Sequence, residues 1–481
     1  MAYRHSVHYS EQPTSITPPV NTVAGLPVVV GTAPVHLASA PVPANKPVLC
    51  YKYEEAVAAL GYSDDWSKYT LCEVMFSQFA LFNRGPVIFI NVLDVTTHKT
   101  AVAQAEKNIG SDGTIVLADP VIPSTLVVKK TANGDALVKG TDYDYAWNDN
   151  DELVISVLDG GELDSQLKAF INYDKVNAAA VTASDVIGGI DANTGAKKGL
   201  ERLNDIFTMF GMVPGILDAP GWSETPTVAA VMKAKAGNIN ELFKCTVLTD
   251  VPTATVRKYS DVASWKNSNS YTGVDQVVCW PMVQLGDHKY HISSMYLGAI
   301  AQTDSANGDI PYESPSNKDI PISGLCLSDG TEIDLALNEA EYLNSQGICT
   351  AINFVGGWKT FGNRTGCYPG NTDPKDSFIS SRRMVNWHGQ TFIQTYWQKL
   401  DKPTKKRLVQ NVVDSENLRL NGLVPVALLG GRVEFNESEN PLTDLIDGKI
   451  KFHTYLGLTV PARDIEDIVE FDTSYLSTLF S

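Results

Sequence analysis

The sequence is short of positive charge, of paired cysteines and of long apolar runs, and each shortage removes a class of function. Its 38 Lys and Arg stand against 55 Asp and Glu, a net charge of −17 over 481 residues. Such a chain is repelled by nucleic-acid phosphates and by anionic membrane surfaces, so we expect no nucleic-acid partner and a basic surface on what it binds. The seven cysteines, Cys50, Cys72, Cys245, Cys279, Cys326, Cys349 and Cys367, are odd in number, scattered, and include no CxxC pair. That pattern argues against a disulfide framework and for reduced, structural thiols. No stretch reaches ~18 uninterrupted apolar residues, and the first twenty residues hold no run resembling a secretion signal. We therefore expect no membrane insertion and a protein made and kept in a cytoplasm.

Catalytic signatures are missing as well. There is no GxGxxG after the first strand, no GxxxxGK[ST] phosphate loop and no GxSxG elbow. The segment DAPGWSET (218–225) places Ser223 between Asp218 and Glu224 after a buried strand. No general base has a recognisable place beside it, and a Ser or Thr there usually caps the following helix. His288 and His291 are the only close histidine pair, three residues apart in a strand-like stretch with no HExxH and no flanking carboxylate cluster. The reading is no catalytic residue, no cofactor and no metal.

What is present is a rhythm of strands and helices long enough for roughly three domains. Residues 1–20, with Pro13, Pro18 and Pro19, form an extended arm. Strands at 25–31 and near PVLCY, helices over 54–60 and 71–82, and the wholly apolar strand PVIFINVLD (86–94) suggest a parallel sheet covered by helices. The alternation resumes with helix 199–211, strand 214–221, helix 227–241, strand 244–252, helix 254–266 and strand 276–285. Between the two blocks, short strands separated by NG, DN and GG turns indicate an all-β insertion. The fold class is thus α/β and α+β multidomain: a doubly wound α/β domain over 21–110 and 176–345, interrupted by a β-rich domain over 111–175. A mixed C-terminal domain (346–460) carries helices over 376–400 and 403–422. A C-terminal arm (461–481) has strand alternation near Ile468, Val469 and Phe471 but no following partner strand.

Two features of the C-terminal part suggest contacts. The loop GGWKTFGNRTGCYPG (356–370) is glycine-rich around Trp358, Asn363 and Arg364, which reads either as a rigid turn or as an assembly contact. From Ser380 to Gln410, seven cations (Arg382, Arg383, Lys399, Lys402, Lys405, Lys406, Arg407) stand against Asp401 alone, a local charge of +6 in an acidic chain. Lys405 and Lys406 near a helix start oppose the macrodipole, at about 0.3–1 kcal/mol each. A local rule broken in this way often marks function, although a solvated basic face explains it equally well.

The chain resembles contractile tail sheath proteins of bacteriophages and phage tail-like particles (tailocins). The resemblance rests on GLPVVVGTAPV, DAPGWSETPTVAAVMKAKA, the GGWKTFGNRTG loop leading into SRRMVNWHGQTFIQTYW, and IVEFDTSYLSTLF, in that order. It implies a virion tail or tail-like particle assembled in a bacterial host cytoplasm, with stacked six-fold rings around an inner tail tube protein and contraction that drives the tube through an envelope. It also implies strand exchange between copies through both arms, by Val7, Tyr9, Ile16, Ile468, Val469, Phe471, Tyr475 and Leu476. Lys402, Lys405, Lys406 and Arg407 become the candidate tube contact, within a C-terminal domain facing the tube. Baseplate and tail terminator proteins are the further partners implied. The competing readings are an α/β hydrolase-like enzyme using Ser223 and a surface-lattice protein.

Overall fold

A computed structural model describes Val20 and residues 23–480. Its centre is an eight-stranded sheet built from β1 (Pro27–Gly31), β2 (Val48–Cys50), β3 (Val87–Asn91), β4 (Ile216–Asp218), β5 (Thr246–Asp250), β6 (Gln276–Cys279), β7 (Ile348–Asn353) and β8 (Trp358–Phe361). The spatial order is β2-β3-β1-β4-β5-β6-β7-β8. Neighbours from β3 to β7 pair in parallel, and antiparallel β2 and β8 close the two edges. Every residue of β1, β3 and β5 is buried. Successive side chains of a strand point to opposite faces, so both faces of the sheet are covered, which is why these strands read as unbroken apolar runs.

The covering helices include α1 (Tyr53–Leu60), α2 (Thr70–Met75), α3 (Pro226–Ala236), α4 (Tyr259–Ser268) and α5 (Ile292–Ala306). Several depart from the sequence expectation for physical reasons. The helix expected over 71–82 starts as α2 and continues as a π-helical turn, Phe76–Leu81. Most of 199–211 is 3-10 helix, Gly199–Asp205, before one α-turn that Gly211 ends at φ 67°. Helix α3 stops at Ala236, ahead of the expected 241: Gly237, a poor helix former, follows it, and Asn240 and Glu241 then turn the chain with φ of 52° and 61°. The strand expected over 276–285 is two strands in different sheets: β6 ends before Pro281, which has no N–H to continue a ladder, and Met282–Leu285 joins a separate four-stranded sheet.

Between β3 and β4 lie two three-stranded sheets. One comprises Lys99–Asn108, Lys168–Val176 and Val127–Lys129; the other comprises Thr114–Leu117, Leu153–Val157 and Tyr143–Trp147. They share their own apolar core of Ile115, Leu117, Val128, Leu153, Ile155, Ile171 and Tyr173. After β8 come α6 (Ile379–Tyr396), α7 (Lys406–Gly422) and the strands β9 (Leu428–Glu434) and β10 (His453–Leu458). Met384, Trp387, Leu420, Leu428 and Val433 pack together here with Ala24 from the start of the described chain. Strands β9 and β10 pair only with each other, so the outer edge of each is open among the described residues.

Candidate functional site

Ligands of open parallel sheets collect beyond the carboxyl ends of the strands. In this chain those ends hold a buried polar cluster. Asp218 ends β4, Asp250 ends β5, Glu73 comes from α2, and His291 precedes α5. Glu73 accepts from the His291 backbone N–H at 2.8 Å and from the Ser294 hydroxyl at 2.7 Å, while its other oxygen sits 2.8 Å from His291 Nδ1. Glu224 lies 3.7 Å from the other ring nitrogen. Burial opposes charge on His291, but the Glu73 carboxylate, helped by Asp250 and Glu224, raises the imidazole to about 10. Asp218 moves well above the usual carboxylate range through burial and through its neighbours Asp250 and Glu73. Burial also raises Asp250 and Glu224, with the His291 charge holding both down.

Ser223 belongs to this cluster as a brace. It is fully buried, its hydroxyl donates to Asp250 at 3.3 Å and accepts from the Asp250 N–H at 3.1 Å, and its carbonyl accepts from Tyr271 at 2.7 Å. From the sequence no general base had a recognisable place beside it; the structure pairs it with the Asp250 carboxylate, and Thr225, not Ser223, is the residue that precedes the helix. Both hydrogen bonds of the hydroxyl go to Asp250, which ties it into the core as a brace. The histidine pair is divided: His288 stacks on Trp66 at 4.3 Å while His291 turns inward. Among the described residues no group of three or more His, Cys, Asp or Glu is placed to hold a metal. All seven cysteines are free and buried.

The basic stretch of the C-terminal part resolves into two populations, which corrects the single patch expected from the sequence. Arg382 and Arg383 are internal. Arg382 forms a fork with Asp275 at 2.6 and 3.2 Å and reaches Asp376 at 3.3 Å. Arg383 grips Asp304 of α5 with both terminal nitrogens, one at 2.9 Å, and also donates to the Ala24 carbonyl at 3.2 Å. Lys402, Lys405, Lys406 and Arg407 are exposed and form no ion pair among the described residues. Lys405 is the residue before α7 and not within its first turn. The inner face of α7 carries Val412, which is buried, and Leu408, Val409 and Val413, which are half-buried. The glycine-rich loop is likewise more ordered than its composition suggests. Trp358 begins β8, and Arg364 stacks on Phe378 at 3.7 Å and Tyr368 at 4.3 Å while donating to Ser377 at 2.7 Å. What protrudes is the β7–β8 hairpin tip, where Phe354 and Val355 are 67% and 70% exposed.

The tail departs most from expectation. Residues 461–472 form no strand, and a 3-10 turn, Thr473–Phe480, follows. Ile468, Val469 and Phe471 are 83%, 85% and 77% exposed, and Tyr475 and Leu476 are exposed too. The alternation seen in the sequence is real, but strand pairing needs a second strand, and none lies beside this segment among the described residues. Val7, Tyr9 and Ile16 lie outside the described residues.

No family model matches the chain. The tail sheath protein of Burkholderia phage BcepMu is 26% identical over 489 residues, covering 99% of this chain and 98% of its own length. A putative prophage major tail sheath protein of Pseudomonas aeruginosa is 27% identical over 314 residues, covering 64% of this chain and 77% of its own. In fold, the contracted sheath of an extracellular contractile injection system (PVC) matches with a TM-score of 0.58 at 12% identity, over 98% of this chain and 99% of that one. A chain of the six-fold symmetrised anti-feeding prophage baseplate matches with a TM-score of 0.56 at 14% identity, over 98% and 100%. The homologues of this chain are therefore tail sheath proteins, structural subunits and not enzymes, and its fold is shared with the sheaths of contractile injection systems.

Proposed function

We propose that this chain is the structural subunit of a contractile tail sheath, which polymerises as stacked six-fold rings around an inner tube and contracts to drive that tube through a target envelope. The observation that carries the reading is the match between an exposed tail and an open sheet. Ile468, Val469 and Phe471 stand in solvent, while β9 and β10 leave backbone donors and acceptors unpaired on both outer edges. An extended segment added to such an edge satisfies its own backbone and buries alternate side chains. A tail of about twenty residues at ~3.3 Å each spans ~65 Å, enough to reach the β9–β10 pair of another copy. The residues over 1–20 would play the same part at the other edge.

Contraction then needs no phosphate site, and none of the phosphate-binding motifs is present. The work comes from interface area gained when subunits repack, about 25 cal/mol for each Å² of apolar surface. Lys402, Lys405, Lys406 and Arg407 are proposed as the tube-facing cations. Exposed ion pairs are worth about 0–1 kcal/mol each, weak enough to be released when rings move. The further partners proposed are the inner tube, the baseplate and the tail terminator. Deleting residues 462–481 tests the reading: the shortened chain should stay folded and soluble yet yield no tubes in negative-stain images. Tubes of normal length from the shortened chain would reject it.

A further inference from the structure

Away from the strand ends and the tail, one internal cation lacks a counter-ion. Lys266, in the last turn of α4, keeps 1% of its surface exposed. Its ammonium donates to the Tyr368 carbonyl at 3.0 Å, and it forms no ion pair with a carboxylate among the described residues. A buried ammonium with one neutral acceptor is poorly compensated for the water it has lost. Burial accordingly lowers it to about 8, against the opposing influence of Cys367.

Lys266 is also among the residues lining a cavity of about 450 Å³, within the size range of small-ligand sites. Asn267 and Thr272 give the wall polar side chains, Val274 and Pro369 give it apolar ones, and no acidic residue contributes. One cation in a partly apolar wall suits a single negative charge on a small organic body; a phosphate dianion would stay half-neutralised. We propose that this cavity is a carboxylate-binding site in which the Lys266 ammonium pairs with the bound group. The carboxylate comes either from a free organic acid or from an Asp or Glu of a neighbouring copy.

Lysine-specific acetylation of the full-length protein, read by mass spectrometry across a pH series, tests this. In the dispersed protein the Lys266 labelling midpoint should lie at about 8. A paired carboxylate raises that midpoint, and a rise of about one pH unit slows labelling by roughly fivefold at about pH 8 and by roughly tenfold at about pH 7 and below. A rise on adding propionate to dispersed protein supports the site and assigns a free acid. A rise only in assembled tubes, without propionate, supports it and assigns a neighbour's side chain. The proposal is overturned if the midpoint moves in neither arm, if inorganic phosphate moves it as far as propionate, or if assembly slows labelling equally at every pH, which is mere occlusion.

Discussion

Replacing His291 by Gln removes the positive charge held among three buried carboxylates, Glu73, Asp218 and Asp250, and the half-buried Glu224, and the consequence is a specific pH dependence. The folded imidazole lies at about 10 against an ordinary value of 6.5, because Glu73 and its neighbours outweigh the effect of burial. For a group raised on folding, stability is present in full below the unfolded value and is lost as pH climbs through the folded one. At about pH 7 the contribution is roughly 4 kcal/mol, and roughly 3 kcal/mol of that is lost by about pH 9.5. Lys266, lowered to about 8, acts in the opposite sense, adding stability as pH rises above that value. It is common to both proteins and cancels in their difference. Urea unfolding followed by far-UV circular dichroism, for parent and His291→Gln at several pH values, gives that difference. It should start large near neutrality and shrink towards alkaline pH. A difference that stays constant across the range, or a variant as stable as the parent at pH 7, would refute the assignment of charge to His291.

Arg383→Ala should cost about 3–5 kcal/mol in the same unfolding assay, since it strands the buried Asp304 carboxylate, and adding Asp304→Ala should recover part of the loss. Reversing Lys405 and Lys406 to Glu should leave the protein folded with its melting temperature unchanged or slightly raised, because both are exposed and unpaired and acidic residues at a helix start relieve the macrodipole cost. In a tube-loading assay the same variant should fail while sheath self-assembly persists. Ser223→Ala should lower stability by about 1–3 kcal/mol through the orphaned Asp250 contacts while leaving tube formation intact, measured by urea unfolding and electron microscopy.

The central sheet was legible because burial on both faces leaves an unmistakable trace: Val28–Val30 and Val87–Ile90 are apolar at every position. The break at Trp280–Pro281 could have been read as well, since a proline in an apolar run forbids a central strand. The fate of Arg382 and Arg383 could not. Their partners, Asp275 just before β6 and Asp304 on α5, lie far away in sequence, and charge counting along the chain treats a buried pair and a solvated face alike. Glu73 and His291 show the same limit, being 218 positions apart. The tail illustrates a different one. Alternation records what a segment can pair with, and the pairing itself depends on a strand that another copy would have to supply.

The two adjacent arginines of α6 have a mechanical meaning. Arg382 is anchored to Asp275, just before β6, and Arg383 to Asp304 on α5, so the helix is bolted to the body in two directions. A pull that reached α6 would pass into the central body through these two ion pairs as well as along the peptide link after β8. Traction between copies would therefore displace whole bodies rather than stretch linkers.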